Sequence, residues 1–124
     1  MRNSSSKVRC EKMHLQKCSD KVCRTYSPIQ RAYAETLEQD STVQSFQCNV
    51  SLPSFPLTDG LYTTDFFITK ADGDIAVREC IRREYLNRPS HIKLLDASRE
   101  YWMCRGVQDW GIVVNASHDS QALH

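Results

Sequence analysis

Two carboxylates in this chain are spaced along the sequence so that a hairpin would bring them together, as a metal site requires. Asp65 and Glu79 occur in two apolar, β-rich runs, at about residues 61–69 and 74–81, on either side of an Asp-Gly turn. Such a turn predicts a tight hairpin, because glycine tolerates the positive φ that the turn requires. The hairpin brings Asp65 beside Glu79, and neighbouring carboxylates repel each other unless a cation, a proton or an arginine lies between them. We therefore expect a divalent-metal site with hard oxygen ligands.

A structural role is the alternative for both acids. A carboxylate on a central strand needs a partner, and a salt bridge to Arg78 or Lys93 would give Asp65 one. Strand alternation places Glu79 on the opposite face of the sheet from Arg78. The two interpretations differ in whether Asp65 meets a cationic side chain or the other carboxylate.

The elements before the hairpin are predicted from caps and periodicity. Ser27 is a suitable N-cap and Pro28 suits the first helical position, so a helix is expected over residues 27–40. Alternating apolar residues predict a strand over residues 43–50. Residues 1–24 have no clear period.

The elements after the hairpin are a helix and a strand. The helix is expected over residues 91–105, with Ser90 as its N-cap and Gly106 just past its end. An apolar strand over residues 110–115 follows, and such a run after a helix favours parallel pairing in the interior of a sheet. The expected buried face of the helix comprises Leu94, Leu95, Ser98, Tyr101 and Trp102.

The order of predicted elements is therefore α-β-β-β-α-β, an α/β fold with a mixed central sheet flanked by helices. A length of 124 residues suits one domain. We divide the chain into a basic N-terminal arm (1–24), a folded domain (25–115) and a C-terminal tail (116–124).

The charge is distributed unevenly along the chain. Residues 1–31 hold eight Lys/Arg and two Asp/Glu, whereas residues 32–124 hold eight and thirteen, for a net charge of +1. A basic arm suits a polyanion such as nucleic acid, and a solvated tail is the alternative. With no apolar run of membrane-spanning length and no secretory-type segment, we expect a cytoplasmic protein without membrane association.

The six cysteines are expected to be thiols or metal ligands rather than disulfides in such a compartment. Cys48, Cys80 and Cys104 are expected to be small core residues. A zinc site is disfavoured for the N-terminal group, because it contains no Cys-x-x-Cys pair. That group consists of Cys10, His14, Cys18 and Cys23.

Several motifs occur in the order found in one nuclease family. Their sequences are Tyr26-Ser-Pro-Ile-Gln-Arg, Val43-Gln-Ser-Phe-Gln, Asp65-Phe-Phe-Ile-Thr, Asp72-Gly-Asp, Arg99-Glu-Tyr-Trp and Gly106-Val-Gln-Asp-Trp-Gly-Ile-Val-Val-Asn. Over residues 25–115 this series resembles the TnsA-type transposon endonuclease N-terminal domain of the PD-(D/E)xK nuclease superfamily. The resemblance implies a restriction-endonuclease-like core.

The resemblance also implies an activity, which is hydrolysis of DNA phosphodiesters at transposon ends with Mg²⁺ or Mn²⁺. Asp65 and Glu79 would hold the metal ion, which lowers the pKa of bound water. Gln30 falls where the family has a helix Glu, and an amide ligates weakly. Ile81 falls at the position of the family's lysine and cannot hold a charge, so cleavage is expected to be impaired. Candidates for a substitute cation are Arg82, Arg83 and Lys93.

The expected partners follow from the same resemblance. DNA would contact Arg82, Arg83, Arg88 and Lys93 through its phosphates. A transposase or another transposon-encoded protein is a further expected partner, and a homo-oligomer is one alternative for assembly. The competing function is a nuclease-fold regulator from a mobile element or phage that binds DNA or protein without cleavage. A zinc-stapled regulator is a third, weaker hypothesis.

Overall fold

The computed structural model describes residues 10–53, 55–56 and 62–115. No helix among these residues is long and apolar enough to cross a membrane. The elements in chain order are β1 (Glu11–His14), β2 (Val22–Thr25), α1 (Pro28–Gln39), β3 (Val43–Leu52), β4 (Tyr62–Lys70), β5 (Ile75–Ile81), a 3₁₀ turn (Arg83–Tyr85), α2 (Pro89–Met103) and β6 (Asp109–Val114).

The main sheet has four strands in the order β3-β4-β5-β6. The first three strands pair antiparallel, and β6 pairs parallel with β5. The expected α/β fold with a mixed sheet and flanking helices is confirmed, as is the parallel pairing of the last strand. The expectation that this strand lies in the sheet interior is wrong, because β6 is an edge strand whose residues are half-buried or exposed.

The N-terminal part of the described chain is more ordered than its sequence pattern indicates. The strands β1 and β2 form a separate antiparallel hairpin. The loop between them pairs with the main sheet, through a bridge between Cys18 and Phe46. Residues 10–25 are therefore part of the fold, whereas the rest of the predicted arm (1–9) and the predicted tail (116–124) lie outside the described residues.

The two helix starts differ in how well the sequence predicts them. Ser27 caps α1 as expected, and its Oγ accepts a hydrogen bond from the Gln30 N–H. The prediction of Ser90 as the cap of α2 is wrong, because α2 already begins at Pro89 with Arg88 in the N-cap position. Proline suits the first helical turn, since its fixed φ is helical and it has no N–H to satisfy.

The hydrophobic core has two clusters, one with each helix. The α1 cluster includes Phe46, Phe66 and Ile68, and the α2 cluster includes Val77 and Trp102. Helices thus cover the two faces of the sheet, and the hairpin between β4 and β5 lies between them. Its turn contains Gly73 at a φ of 91°, as the Asp-Gly signal predicts.

Candidate functional site

The acids Asp65 and Glu79 lie together on the neighbouring strands β4 and β5. The Oδ2 atom of Asp65 accepts a hydrogen bond from the Cys80 N–H at 2.7 Å. The Oε1 atom of Glu79 accepts one from the Asp65 N–H at 3.1 Å. Each carboxylate is therefore bound by backbone on the other strand, and the hairpin register brings the two acids together.

A local change of strand direction gives Glu79 access to that backbone N–H. Phe66 packs in the α1 cluster, whereas Thr64, two residues earlier, contacts Trp102 of the α2 cluster. Residues two apart in a regular strand point to the same face, so β4 rotates at Asp65. On β3, opposite this point, Asn49 adopts a positive φ of 57°.

Two chains of hydrogen bonds converge on the Glu79 carboxylate. The Trp102 indole N–H donates to Thr64 Oγ1 at 2.8 Å, and this hydroxyl donates to Glu79 Oε2 at 2.9 Å. The Trp110 indole N–H donates to Ser98 Oγ at 3.1 Å, and this hydroxyl donates to the same Oε2 atom at 2.5 Å. Glu79 is only 1% exposed, so these neutral donors replace water around a buried acid.

Burial makes both acids harder to ionise. It raises the pKa of Asp65 to about 6 and that of Glu79 to about 7. The negative charge of Asp65 raises the Glu79 pKa further, while the hydrogen bond from Ser98 lowers it. Both acids therefore bind a proton more tightly than a free carboxyl group does, and interacting acids titrate as a pair.

The third residue of the predicted catalytic set is Gln30, which lies beside this pair. Among the described residues its side-chain amide forms hydrogen bonds within the protein. It is 2% exposed. Its Oε1 atom accepts a hydrogen bond from the Tyr26 N–H at 2.9 Å, and its Nε2 atom donates to Asn49 Oδ1 at 2.9 Å. The Asp65 carbonyl oxygen lies 3.5 Å from the same Nε2 atom. The Gln30 amide thus fixes the backbone next to Asp65.

The metal-ligand set that the resemblance implies fits this arrangement poorly. To bind a cation, the Glu79 carboxylate would have to give up its hydrogen bonds from the Thr64 and Ser98 hydroxyls. The Gln30 Oε1 atom would likewise have to give up its hydrogen bond from the Tyr26 N–H. Mg²⁺ in addition demands near-ideal octahedral geometry from its oxygen ligands. The acids are present, but both Glu79 oxygens and the Oδ2 atom of Asp65 already accept hydrogen bonds within the protein.

The predicted cations lie near the end of β5. Ile81 is buried, and strand alternation places it on the same face as Glu79. Beyond it, Arg82 forms an ion pair with Glu84 at 2.8 Å. Arg83 donates from its backbone N–H to Asn115 Oδ1 at 2.6 Å, and the Arg88 guanidinium lies 4.2 Å from the Tyr85 ring centroid. All three arginines are exposed, as is Lys93 on α2.

The structure also shows which acid forms an ion pair with Arg78. This arginine pairs with Asp109 at 2.9 Å, and Lys70 binds the other oxygen of the same carboxylate at 2.8 Å. The alternative of a salt bridge between Asp65 and Arg78 is therefore wrong, because the parallel strand β6 brings Asp109 opposite Ala76 and next to that arginine.

The cysteines are grouped differently from the order in which they occur in the sequence. Cys18 and Cys23 lie close to Cys48, whereas Cys10 and His14 are exposed. Cys80 is half-buried. The expectation that Cys104 is a core residue is wrong, because it follows the last turn of α2 and is exposed.

Sequence reasoning did not find the residues that hold Glu79. Ser98 and Trp102 were expected only as part of a buried helix face, and Thr64 and Trp110 had no assigned polar role. A serine in the apolar stripe of a predicted helix is the one available signal, because a buried hydroxyl needs a hydrogen-bond partner.

No protein-family model matches the chain, and no curated protein matches it.

Proposed function

We propose that this chain is a TnsA-like nuclease-fold domain that acts in DNA transposition by binding DNA, with little or no cleavage of its own. The order of the motifs over residues 25–115 supports the family. The observation that carries the loss of cleavage is the state of Glu79. Its carboxylate is held by two hydroxyls and a backbone N–H, and the position two residues later is Ile81.

Metal-assisted hydrolysis needs open oxygen ligands and positive charge near the attacking water. The buried Ile81 side chain supplies no charge. The adjacent Arg82 is paired with Glu84, and an arginine stays protonated, so it stabilises charge rather than transferring a proton. Both requirements are therefore weakly met.

Binding has better support than cleavage. The guanidinium groups of the exposed Arg82 and Arg88 lie near the ring of the half-buried Tyr85, and the exposed Arg83 belongs to the same segment after β5. Exposed guanidinium groups bind phosphate oxygens well because their N–H groups form a planar fork. Eight basic residues among the first 31 add to the positive charge.

The test is nicking of supercoiled DNA in Mg²⁺ or Mn²⁺ by the wild type and by Asp65→Ala. We expect no cleavage by the wild type beyond that of the variant. Metal-dependent nicking that Asp65→Ala abolishes would contradict the proposal and establish an active endonuclease.

A second pair of variants separates two reasons for inactivity. Ile81→Lys restores the family's lysine, and Ile81→Met is the matched apolar control. Nicking by Ile81→Lys alone would identify the missing cation as the cause. Inactivity of both variants would show that the missing cation is not the sole cause.

A further inference from the structure

Three cysteine thiols from three separate segments converge beside the main sheet. Cys18 lies in the loop between β1 and β2, Cys23 in β2 and Cys48 in β3. Among the described residues, these form the group of potential ligands whose atoms all lie within 4.8 Å of one another. The Sγ–Sγ distances are 2.7 Å for Cys23 and Cys48 and 3.8 Å for Cys18 and Cys48.

We propose that Cys18, Cys23 and Cys48 form a thiolate site for a thiophilic d¹⁰ cation such as Zn²⁺. A tetrahedral ion with Zn–S bonds of about 2.3 Å separates its sulfur ligands by roughly 3.8 Å. The distance between Cys18 and Cys48 matches this separation, and Cys23 and Cys48 must move apart by about 1 Å. The site is independent of the proposed DNA function.

The loop that carries Cys18 is held against the sheet by hydrogen bonds. The Ser19 N–H donates to the Phe46 carbonyl, and the Phe46 N–H donates to the Lys17 carbonyl, both at 2.9 Å. The Glu38 carboxylate accepts from the N–H groups of Gln16 and Lys17 at 3.0 Å. Cys18 is therefore fixed close to β3, so binding an ion requires little further ordering of the chain.

The pKa values of the three thiols shift in different directions. The hydrogen bond with Cys48 lowers the pKa of Cys23, whereas the same bond and burial raise the pKa of Cys48. Burial also raises the pKa of Cys18. A cation that binds all three sulfurs releases the thiol protons to water, so its affinity rises with pH.

The cluster is accessible from one side. A cavity of about 210 Å³ lies next to it, lined by Cys18, Cys48, Asp20 and Arg24 among others. Three protein ligands leave one position of a tetrahedral ion open. The cavity leaves room for a water molecule or a small anion at that position.

The test is titration of the reduced full chain with Co²⁺, followed by Zn²⁺. We expect one equivalent of Co²⁺ to give the visible and near-ultraviolet absorption of a tetrahedral thiolate complex, and Zn²⁺ to displace it. Cys18→Ser, Cys23→Ser and Cys48→Ser should each weaken binding more than about 100-fold, since even changes around the ligands cost roughly 10- to 100-fold. The exposed Cys10→Ser and Cys104→Ser are matched controls that should bind as the wild type does.

A second measurement avoids variants that fail to fold. The rate of alkylation of each wild-type thiol is followed by peptide mass spectrometry with and without Zn²⁺. Cys18 and Cys23 are buried and react slowly even without metal, so Zn²⁺ should slow Cys18, Cys23 and Cys48 further and leave the rates of Cys10 and Cys104 unchanged. Absence of Co²⁺ and Zn²⁺ binding by the reduced wild type would overturn the proposal. So would unchanged binding in Cys48→Ser, or protection confined to Cys10.

Discussion

Glu79 is a buried acid whose partners are neutral hydrogen-bond donors. The hydroxyls of Thr64 and Ser98 and the Asp65 N–H contact its two oxygens, and no ion pair involving it occurs within the described residues. A charged carboxylate is costly in such surroundings. Its raised pKa, about 7, reflects this cost.

Removing one hydroxyl from this network should destabilise the fold. Ser98→Ala takes a donor from Glu79 and leaves the Trp110 N–H without its acceptor. Leaving buried polar groups unpaired costs roughly 1–3 kcal/mol. We expect a loss of that size in the free energy of unfolding, measured with urea. Ser90→Ala, at an exposed position of α2, is the control, and equal stability of the two variants would contradict the network's role.

The pH dependence of stability tests the buried charge at Asp65. Its pKa is about 6 in the fold and about 3.9 when unfolded, so the folded state binds the proton more tightly. The stabilisation is complete below about pH 4 and is lost as the pH rises through 6. Asp65→Asn removes this effect and keeps an acceptor for the Cys80 N–H. The wild type should therefore lose roughly 2–3 kcal/mol relative to the variant between pH 4 and 7.

Urea unfolding at pH 4 and pH 7 checks this prediction, with the exposed Asp96→Asn as control. A wild type that gains stability over Asp65→Asn as the pH rises would show that Asp65 is held as a stabilised anion. In that case a bound cation, rather than a proton, would be its partner.

The pairing of Asp65 with Glu79 could be predicted from sequence because both residues belong to one hairpin with a clear turn. The donors around Glu79 could not, since Ser98 and Trp110 come from elements distant along the chain. Their positions depend on how α2 and β6 pack on the sheet. Local spacing therefore identified the two acids but not the hydrogen-bond donors that contact Glu79.

Single elements were predicted best where a cap or a turn residue fixed them. Ser27 and Gly73 are such positions. The strands β1 and β2 were missed because each has only four residues and several are polar and exposed. Their pairing depends on contacts with the sheet, which a periodicity search along the chain does not detect.

Asn49 shows how one residue shapes an element. Its positive φ is tolerated by asparagine better than by most residues. Its side chain accepts from Gln30 and donates to the Arg24 carbonyl at 2.7 Å. Asn49→Ala loses both hydrogen bonds and keeps the strained backbone, so we expect a loss of about 2 kcal/mol in the free energy of unfolding.

The matched control for that variant is Gln47→Ala, at an exposed position of β3. Asn49→Gly relieves the backbone strain but not the lost hydrogen bonds, so its stability should lie between those of Asn49→Ala and the wild type. A stability of Asn49→Ala equal to that of Gln47→Ala would show that β3 does not depend on this residue.

At the scale of the whole molecule, the fold class followed from the order of elements, because parallel β6 requires a crossover helix between it and β5. The edge position of β6 did not follow. An apolar run predicts that a strand is buried, but it does not show whether the strand is covered by a neighbouring strand or by a helix.

The distribution of charge over the molecule gives a prediction for DNA binding. Binding of a short duplex, followed by fluorescence anisotropy, should weaken steeply with salt if the exposed arginines contact phosphates. The double variant Arg82→Gln and Arg83→Gln should weaken binding and lower the salt slope by about 2. Arg105→Gln, at the far end of α2, is the control. Equal slopes for all three proteins would point away from this surface.

The network around Glu79 also has a spectroscopic consequence. The chain contains two tryptophans, and both indole N–H groups donate to hydroxyls that contact this one carboxylate. Indole emission responds to nearby charge and to exposure to water. The intrinsic tryptophan fluorescence should therefore change with the ionisation of Glu79 and with the packing of α2 on the sheet, and it needs no added label.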